Sequence, residues 1–351
     1  MTPPMAKIRI HEVKHVIQYN IHPKKAPGYD LITGKVLQQL SQTGLRAITQ
    51  IYNAILRTEY FPCHWKVGQI IMIAKPGKDV NDITSYRPIS LLPILSKILE
   101  KIILKRLTPI IEDNKLIPSH QFGFRKHHGT VEQAHRLVNK IHNDLENKRY
   151  CSTVFLDISQ AFDKVWHNGL FYKLKRAFPH TAYTLLKSYL SDRTFQVRYQ
   201  ECTTLHAIQS GVPQGSILGP ILYLLYTADL PETANTMTAT YADDTAILAS
   251  HENSNTASQH LQHHLHQLEK WLTKWRIKVN ENKSTHVTFG LRRETCPAVT
   301  LNGHSIPQRE TAKYLGIHLD RRLTWQKKHI FTKRKQLGLQ LHRMYWIIGR
   351  K

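Results

Sequence analysis

The chain has 351 residues, 41% of them hydrophobic, enough for two or three lobes with a buried core. Forty-nine Lys and Arg against 25 Asp and Glu leave a net charge of +24, which points to a polyanionic partner, nucleic acid first. A basic membrane-surface protein is the competing reading, but MTPPMAKIRI at the N-terminus offers neither an amphipathic anchor nor a lipidation site. Cys63, Cys151, Cys202 and Cys296 are widely spaced, which argues against a zinc ribbon and a disulfide scaffold. There is no signal-peptide pattern, and the longest apolar run, Ile217 to Tyr226, is far too short to span a bilayer. The composition reads as a reduced, intracellular, basic globular protein.

In chain order, residues 1–66 read as mostly helical, interrupted by the turn Ala26-Pro27-Gly28-Tyr29-Asp30, where Asp30 is placed to cap the next helix. VGQIIMIAK predicts a strand and PGKDVNDITSYRP a long, basic-tipped loop. ISLLPILSKILEKIILKRL predicts a helix with Leu95, Ile98, Leu99 and Ile102 on one side. CSTVFLDI alternates as a strand, with Val154, Leu156 and Ile158 facing one way and Phe155 and Asp157 the other. QAFDKVWHNGLFYKLKRA has helical spacing at Phe162, Val165, Trp166 and Leu170. TMTATYADDTAILAS reads as two short strands around a tight Asp-Asp turn. A helix with Leu261, Leu265, Leu268, Leu272 and Trp275 in line follows, then strand-like IKVN and HVTFG. The strand–helix–strand–strand–helix–strand order is that of a split βαβ antiparallel sheet backed by two helices. Residues 321–351 carry ten Lys and Arg and no acid, with Leu337, Leu341, Met344 and Ile348 on one helical face, as at the start of a basic lobe.

The strongest chemical signal is Tyr241-Ala242-Asp243-Asp244, two adjacent carboxylates at a hairpin tip. Such a pair is either a solvated acidic turn or a place where cations sit between like charges. Asp157 tips the balance. In a split βαβ sheet the strand it ends lies beside the central hairpin, although it precedes Asp243 by 86 residues. Three converging carboxylates suit hard divalent cations with oxygen ligands. Two metals about 4 Å apart can activate an attacking hydroxyl and stabilise the leaving oxygen of a phosphoryl displacement. Asp163 is expected in the first turn of the following helix, in a dipole or capping role rather than a catalytic one. His260, His263, His264 and His266 lack matching Cys/His partners, and read as a polar helix face with no zinc. In SHQFGFRKHH, Phe122, Phe124, Arg125 and Lys126 interleave aromatics with cations, which suits stacking and phosphate contact with a template strand or the packing of a loop onto the fingers.

Eight blocks occur in one order: KKAPGYD, IIMIAKPGKDVNDITSYRPISLL, SHQFGFRKHHGT, FLDISQAFDKVWH, SGVPQGSILGPILY, YADD, WRIKVNENKS and KYLGIHLD. In these the chain resembles the reverse transcriptases of non-LTR (LINE-type) retrotransposons, most like the insect mobile element jockey family, from about Lys24 to Asp320. The resemblance implies an α+β right-hand polymerase. Residues 1–66 would be the N-terminal helical part of the fingers and 67–150 the fingers proper. Residues 151–320 would be the palm with its split βαβ sheet, and 321–351 the start of a truncated helical thumb. The implied activity is RNA-directed DNA synthesis on an RNA template from a DNA primer with deoxynucleoside triphosphates. The implied cofactor is two Mg²⁺ ions, with Mn²⁺ as substitute, and no membrane is involved. An active copy would work in the nucleus.

Residue by residue, Asp157, Asp243 and Asp244 stand at the metal-binding triad, with Asp244 the more peripheral. Phe162 matches the aromatic that abuts the sugar 2′ position; its plainer reading is a core aromatic. Lys75 and Arg87 match the cations that grip the triphosphate, Gln214 and Gly215 the loop against the nascent base pair, and Lys283 the lysine that protonates pyrophosphate. From the residues alone, Lys75 and Arg87 could equally be solvated loop cations, Gln214 and Gly215 a helix-entry turn, and Lys283 a surface lysine. Tyr314, Leu315 and Gly316 match the segment that holds the primer's 3′ end. The endonuclease and Cys/His-rich tail of complete elements have no counterpart here, so a fragment or decayed copy is expected. Two rivals remain: a catalytically silent nucleic-acid-binding remnant, against which all three Asp are retained, and a group II intron-type enzyme, whose maturase segment is not seen.

Overall fold

The computed structural model describes residues 5–74, 79, 81–82, 85–199, 202–325 and 329–348. The chain begins with α1 (Ile10–His15), α2 (Gly34–Gln38) and α3 (Gln42–Thr58), then β1 (Val67–Ala74), β2 (Tyr86–Leu91) and α4 (Ile94–Asp113). Next come α5 (Thr130–Glu146), β3 (Tyr150–Leu156), α6 (His167–Ala177), α7 (His180–Leu190), β4 (Thr194–Tyr199), β5 (Cys202–Ala207) and α8 (Leu218–Tyr226). β6 (Thr236–Tyr241), β7 (Asp244–His251), α9 (Ser254–Lys274) and β8 (Thr285–Phe289) follow. The short strands β9 (Thr300–Leu301), β10 (His304–Ser305), β11 (Thr311–Tyr314) and β12 (Ile317–Asp320) precede α10 (Phe331–Ile348). These elements form two units, Met1–Pro118 with Gln160–Asp229, and Ser119–Ser159 with Leu230–Lys351. Among the described residues no helix is long and apolar enough to cross a membrane.

The first unit holds a sheet of order β2-β1-β4-β5, antiparallel except where β1 runs parallel to β4. The predicted VGQIIMIAK strand is β1 up to Ala74; Lys75 and much of the loop after it lie outside the described residues. The expected helix over ISLLPILSKIL starts later than its apolar spacing implied. Pairing with β1 holds Ile89–Leu91 extended, and α4 begins only after Pro93. Asp30 caps no helix: its Oδ1 accepts from Ile32 N–H, and α2 is capped by Thr33. The core is built on α4, where Ile98, Leu99 and Ile102 are buried as predicted and Leu95 is half-buried.

Glu100, on the same helix, is fully buried. Its Oε2 accepts the Ile217 and Leu218 amides at 2.8 and 3.1 Å, and its Oε1 accepts from Ser96 Oγ at 2.9 Å. These are orphan donors of the start of α8, the helix formed by the apolar run, so the carboxyl both caps that helix and ties it to α4.

In the second unit the sheet has order β6-β7-β3-β8, antiparallel throughout, the strand order of a split βαβ fold. Every residue of β3 is buried, on both faces. α9 packs along β3 and β7. Leu137 and Ile141 of α5 join Phe155, Leu248 and Val287, and the β11–β12 hairpin adds Ala312, Tyr314 and Leu319 to that cluster. IKVN forms only an isolated bridge, Val279 to Ile158, rather than a strand. On α10, Leu337, Leu341 and Met344 are exposed.

The histidine-rich helix α9 is not a uniformly polar face. His264 is fully buried, with Nδ1 2.6 Å from Thr236 Oγ1, while His263 and His266 are exposed. His286, equally buried on β8, has Nε2 2.8 Å from Ser152 Oγ. Burial lowers both imidazoles from 6.5 to about 4. The folded state therefore binds fewer protons than the unfolded chain between those values, and stability falls as pH drops from 6.5 towards 4.

Two stability measurements follow. Acid titration of the urea midpoint is expected to show this loss, up to roughly 3 kcal/mol per histidine, and His286→Gln should flatten the profile; an unchanged slope in the variant would refute the assignment. Glu100→Ala is expected to cost about 2–4 kcal/mol by leaving buried amides unpaired, and Glu100→Gln, which keeps an acceptor, clearly less. Equal losses in the two would show that the cap is not the reason.

Candidate active site

Strand pairing brings the acidic residues together. β3 and β7 run in register from Tyr150↔His251 to Leu156↔Thr245, so Asp157 leaves β3 beside Asp244, the first residue of β7. Asp157 is pinned from the other side as well. Its N–H donates to Ser284 Oγ at 3.1 Å, and its carbonyl accepts Asn280 N–H at 2.8 Å. The tight Asp-Asp turn is the two-residue link Ala242-Asp243, closed by the Tyr241↔Asp244 pair. Ala242 has φ +58°, a left-handed conformation that side chains rarely take.

The Asp244 carboxyl is held above the usual carboxylate range, first by the protein packed round it, then by the negative charges of Asp243 and Asp157; Lys313 on β11 opposes them. The three groups thus lie within electrostatic reach of one another. Among the described residues no three acidic, His or Cys side chains close into a ready-made metal cage. The donor set is nonetheless all carboxylate oxygen, the chemistry of a hard cation that keeps water and takes substrate phosphates as further ligands. Lys283 is exposed on the turn after Asn280, whose Oδ1 accepts the Lys283 amide.

Around this turn lies SHQFGF. Phe122 N–H donates to Thr240 O, and the half-buried Phe122 ring meets His128 edge-on at 4.7 Å and the Arg136 guanidinium at 5.9 Å. Arg125 Nη1 donates to Gln121 O, and Lys126 is exposed. Tyr314 is buried, with its hydroxyl on Ala239 O and its ring 5.6 Å from Phe155. Leu315 and Gly316, both with positive φ, form the tip of the β11–β12 hairpin.

The first unit gathers another group. Residues 159–164 form turns, and α6 starts only at His167, so Phe162 and Asp163 precede the helix that their spacing predicted. The cause is the Gly211-Val212 segment, whose amides take the Val165 and Phe162 carbonyls as acceptors. Phe162 stacks on Tyr223 at 4.7 Å. Asp163 is neither cap nor dipole partner: its carboxyl accepts the Gln214 amide at 3.2 and 3.3 Å, while burial raises its pKa. Gln214 O accepts Ser90 N–H, and Gly215, at φ +113°, lies so close that a Cβ there would come 2.5 Å from Ser90 O. A cavity of about 350 Å³ opens between Pro88, Ser90, Asp163, Phe195 and Gln214, and exposed Arg87 stands next to Pro88 on β2. Nothing in residue type alone marked Asp163 as the Gln214 partner, or Asn280, Ser284 and Lys313 as neighbours of the acidic group. Asn280 and Ser284 do fall inside the WRIKVNENKS block.

Residues 73–319 match the family described as "Reverse transcriptase (RNA-dependent DNA polymerase)". The chain is 43% identical, over 99% of its length, to "RNA-directed DNA polymerase from mobile element jockey" of Drosophila melanogaster. It is 42% identical over 99% to "Probable RNA-directed DNA polymerase from transposon X-element", and 42% identical over its full length to that of transposon BS, both of the same organism. It spans 39–40% of the length of these curated relatives. A solved structure, apo telomerase from Candida tropicalis truncated from its C-terminal domain, superposes with a TM-score of 0.50 at 16% identity, covering 79% of this chain and 59% of that one. That likeness concerns the fold alone, a mixed helix-and-sheet right-hand polymerase. With a family match over most of its length and this fold, the chain belongs to the reverse transcriptase (RNA-dependent DNA polymerase) family.

Proposed function

We propose that the chain is the polymerase segment of a non-LTR retrotransposon's RNA-directed DNA polymerase, extending a DNA primer on an RNA template with deoxynucleoside triphosphates. The observation that carries the reading is the set of three carboxyls, remote in sequence, at one end of an antiparallel sheet within a matched reverse transcriptase region. Reverse transcriptases use divalent metal ions. Asp157, Asp243 and Asp244 would hold two Mg²⁺, or Mn²⁺ in their place, which when bound supply charge neutralisation and acidify the primer's 3′-hydroxyl.

The remaining roles belong to protein groups. Arg87, and Lys75 outside the described residues, grip the triphosphate. Gln214, oriented by Asp163, and Gly215, pressed on Ser90, shape the surface against the nascent base pair. Phe162, fixed by Tyr223, excludes a 2′-hydroxyl, and Lys283 gives a proton to the departing pyrophosphate. Phe122, Arg125 and Lys126 face the template, and Leu315 and Gly316, anchored through Tyr314, hold the primer end. Residues 1–150 serve as fingers, 151–320 as palm and 321–351 as the start of the thumb. The net charge of +24 holds the nucleic acid, and copying takes place in the nucleus.

Purified protein with Mg²⁺, primed RNA and deoxynucleotides is expected to extend the primer. Asp243→Ala should lower extension by about a thousandfold or more; variant and wild type extending alike would remove the catalytic assignment. Phe162→Ala should raise ribonucleotide incorporation relative to deoxynucleotide by about tenfold or more, read on sequencing gels. An unchanged sugar preference would return Phe162 to a packing role.

A further inference from the structure

The Ala242-Asp243 turn is held from outside its own hairpin. A left-handed residue bearing a Cβ persists only where its surroundings over-determine it. Gln121 provides that constraint at Ala242. Ala242 N–H donates to Gln121 Oε1 at 2.9 Å, and Gln121 Nε2 donates to the Ala242 carbonyl at 3.2 Å. One carboxamide thus pairs both backbone polar groups of a single residue, as a neighbouring strand would. The same Oε1 accepts Gly123 N–H at 2.8 Å, and Gln121 is only 5% exposed, so little water competes for these bonds.

The clamp is itself braced. Phe122 N–H donates to Thr240 O, Thr240 N–H to His120 O, and the fully buried Gln133 donates Nε2 to both carbonyls at 2.9 and 2.8 Å. Gly123 lies so near the turn that a Cβ there would meet Ala242 N at 2.2 Å, so only glycine lets the strap approach this closely.

We infer that Gln121 is a positioning residue: by fixing the Ala242 peptide it sets the direction in which Asp243 and Asp244 leave the turn, and holds them towards Asp157 against their mutual repulsion. The catalytic consequence rests on the polymerase reading; the clamp does not. Without the carboxamide the Ala242 peptide can rotate, and the carboxyl on the next residue turns with it. Geometry lost at that point reduces turnover rather than substrate affinity.

The test uses the full chain labelled with ¹⁵N-alanine. Gln121→Met keeps the side-chain length and removes all three bonds, whereas Gln121→Glu keeps the acceptor for Ala242 N–H. In Gln121→Met the Ala242 amide is expected to exchange with solvent about tenfold faster or more, while Ala246 and Ala249 of β7 keep their wild-type rates; Gln121→Glu, which keeps the acceptor but loses the donor to the Ala242 carbonyl, falls between Gln121→Met and wild type. Mn²⁺ affinity without nucleotide, read by electron paramagnetic resonance, should fall about threefold or more in Gln121→Met, and primer-extension kcat about tenfold with nucleotide KM within about twofold. Unchanged Ala242 exchange overturns the inference. So does faster exchange at Ala246 and Ala249 as well, which would mark a general loosening of the fold, and so does wild-type Mn²⁺ affinity despite a freed turn. If the wild-type chain extends no primer, the polymerase reading fails, and exchange and Mn²⁺ affinity still decide the clamp.

Discussion

Carboxyl groups of like charge separate unless something stronger holds them, and here the restraint is the register between β3 and β7. Seven consecutive residue pairs lock the two strands, ending at Leu156↔Thr245. Because side chains alternate along a strand, a slip of one residue would carry Asp157 to the opposite face of the sheet. Burial of β3 on both faces makes that slip expensive, since every misplaced residue would lose a fitted environment. The Asp244 carboxyl lies above the usual carboxylate range, first because the protein is packed round it and then because Asp243 and Asp157 add negative charge that the register does not let it escape.

The first unit shows a related economy in its backbone. The loop from Gly211 to Gly215 has no regular structure, yet its polar groups are committed to Phe162, Val165 and Ser90. Those bonds draw Phe162 and Asp163 out of a helix their spacing favoured, leaving Phe162 stacked on Tyr223 and Asp163 facing Gln214 beside a cavity. Glu100 supplies the deeper anchor. It joins the helix after this loop to the central helix of the unit through buried amides.

Much of this was legible from residue order. The alternation in CSTVFLDI and TMTATYADDTAILAS gave β3, β6 and β7 and the Asp-Asp turn, because a period of two has few alternatives once both flanks are apolar. What failed depended on distant partners. Helical spacing at Phe162 was real, but amides some 50 residues later captured its carbonyl. IKVN has strand-like residues and finds one bridge, at Ile158, because β3 ends at Leu156 and leaves it little extended backbone to pair with. His264 sits among polar neighbours in sequence, and only its position on α9 against Thr236 explains its burial. The role of Gln121 was hidden because a carboxamide acquires meaning from the backbone it meets, and that backbone lies 121 residues away.

The order of the segments has a consequence for how the chain takes shape during synthesis. Each unit is assembled from two stretches, and the second stretch of one follows the first stretch of the other. When Pro118 leaves the ribosome, α4 has neither its α8 partner nor β4, the parallel neighbour of β1. β3 likewise emerges with no strand yet made to pair with it on either side. A nascent chain of this arrangement must keep α4 and β3 waiting while more than a hundred further residues are made before α8 and β8 arrive, so its yield in a cell would depend on chaperones that shield them until then.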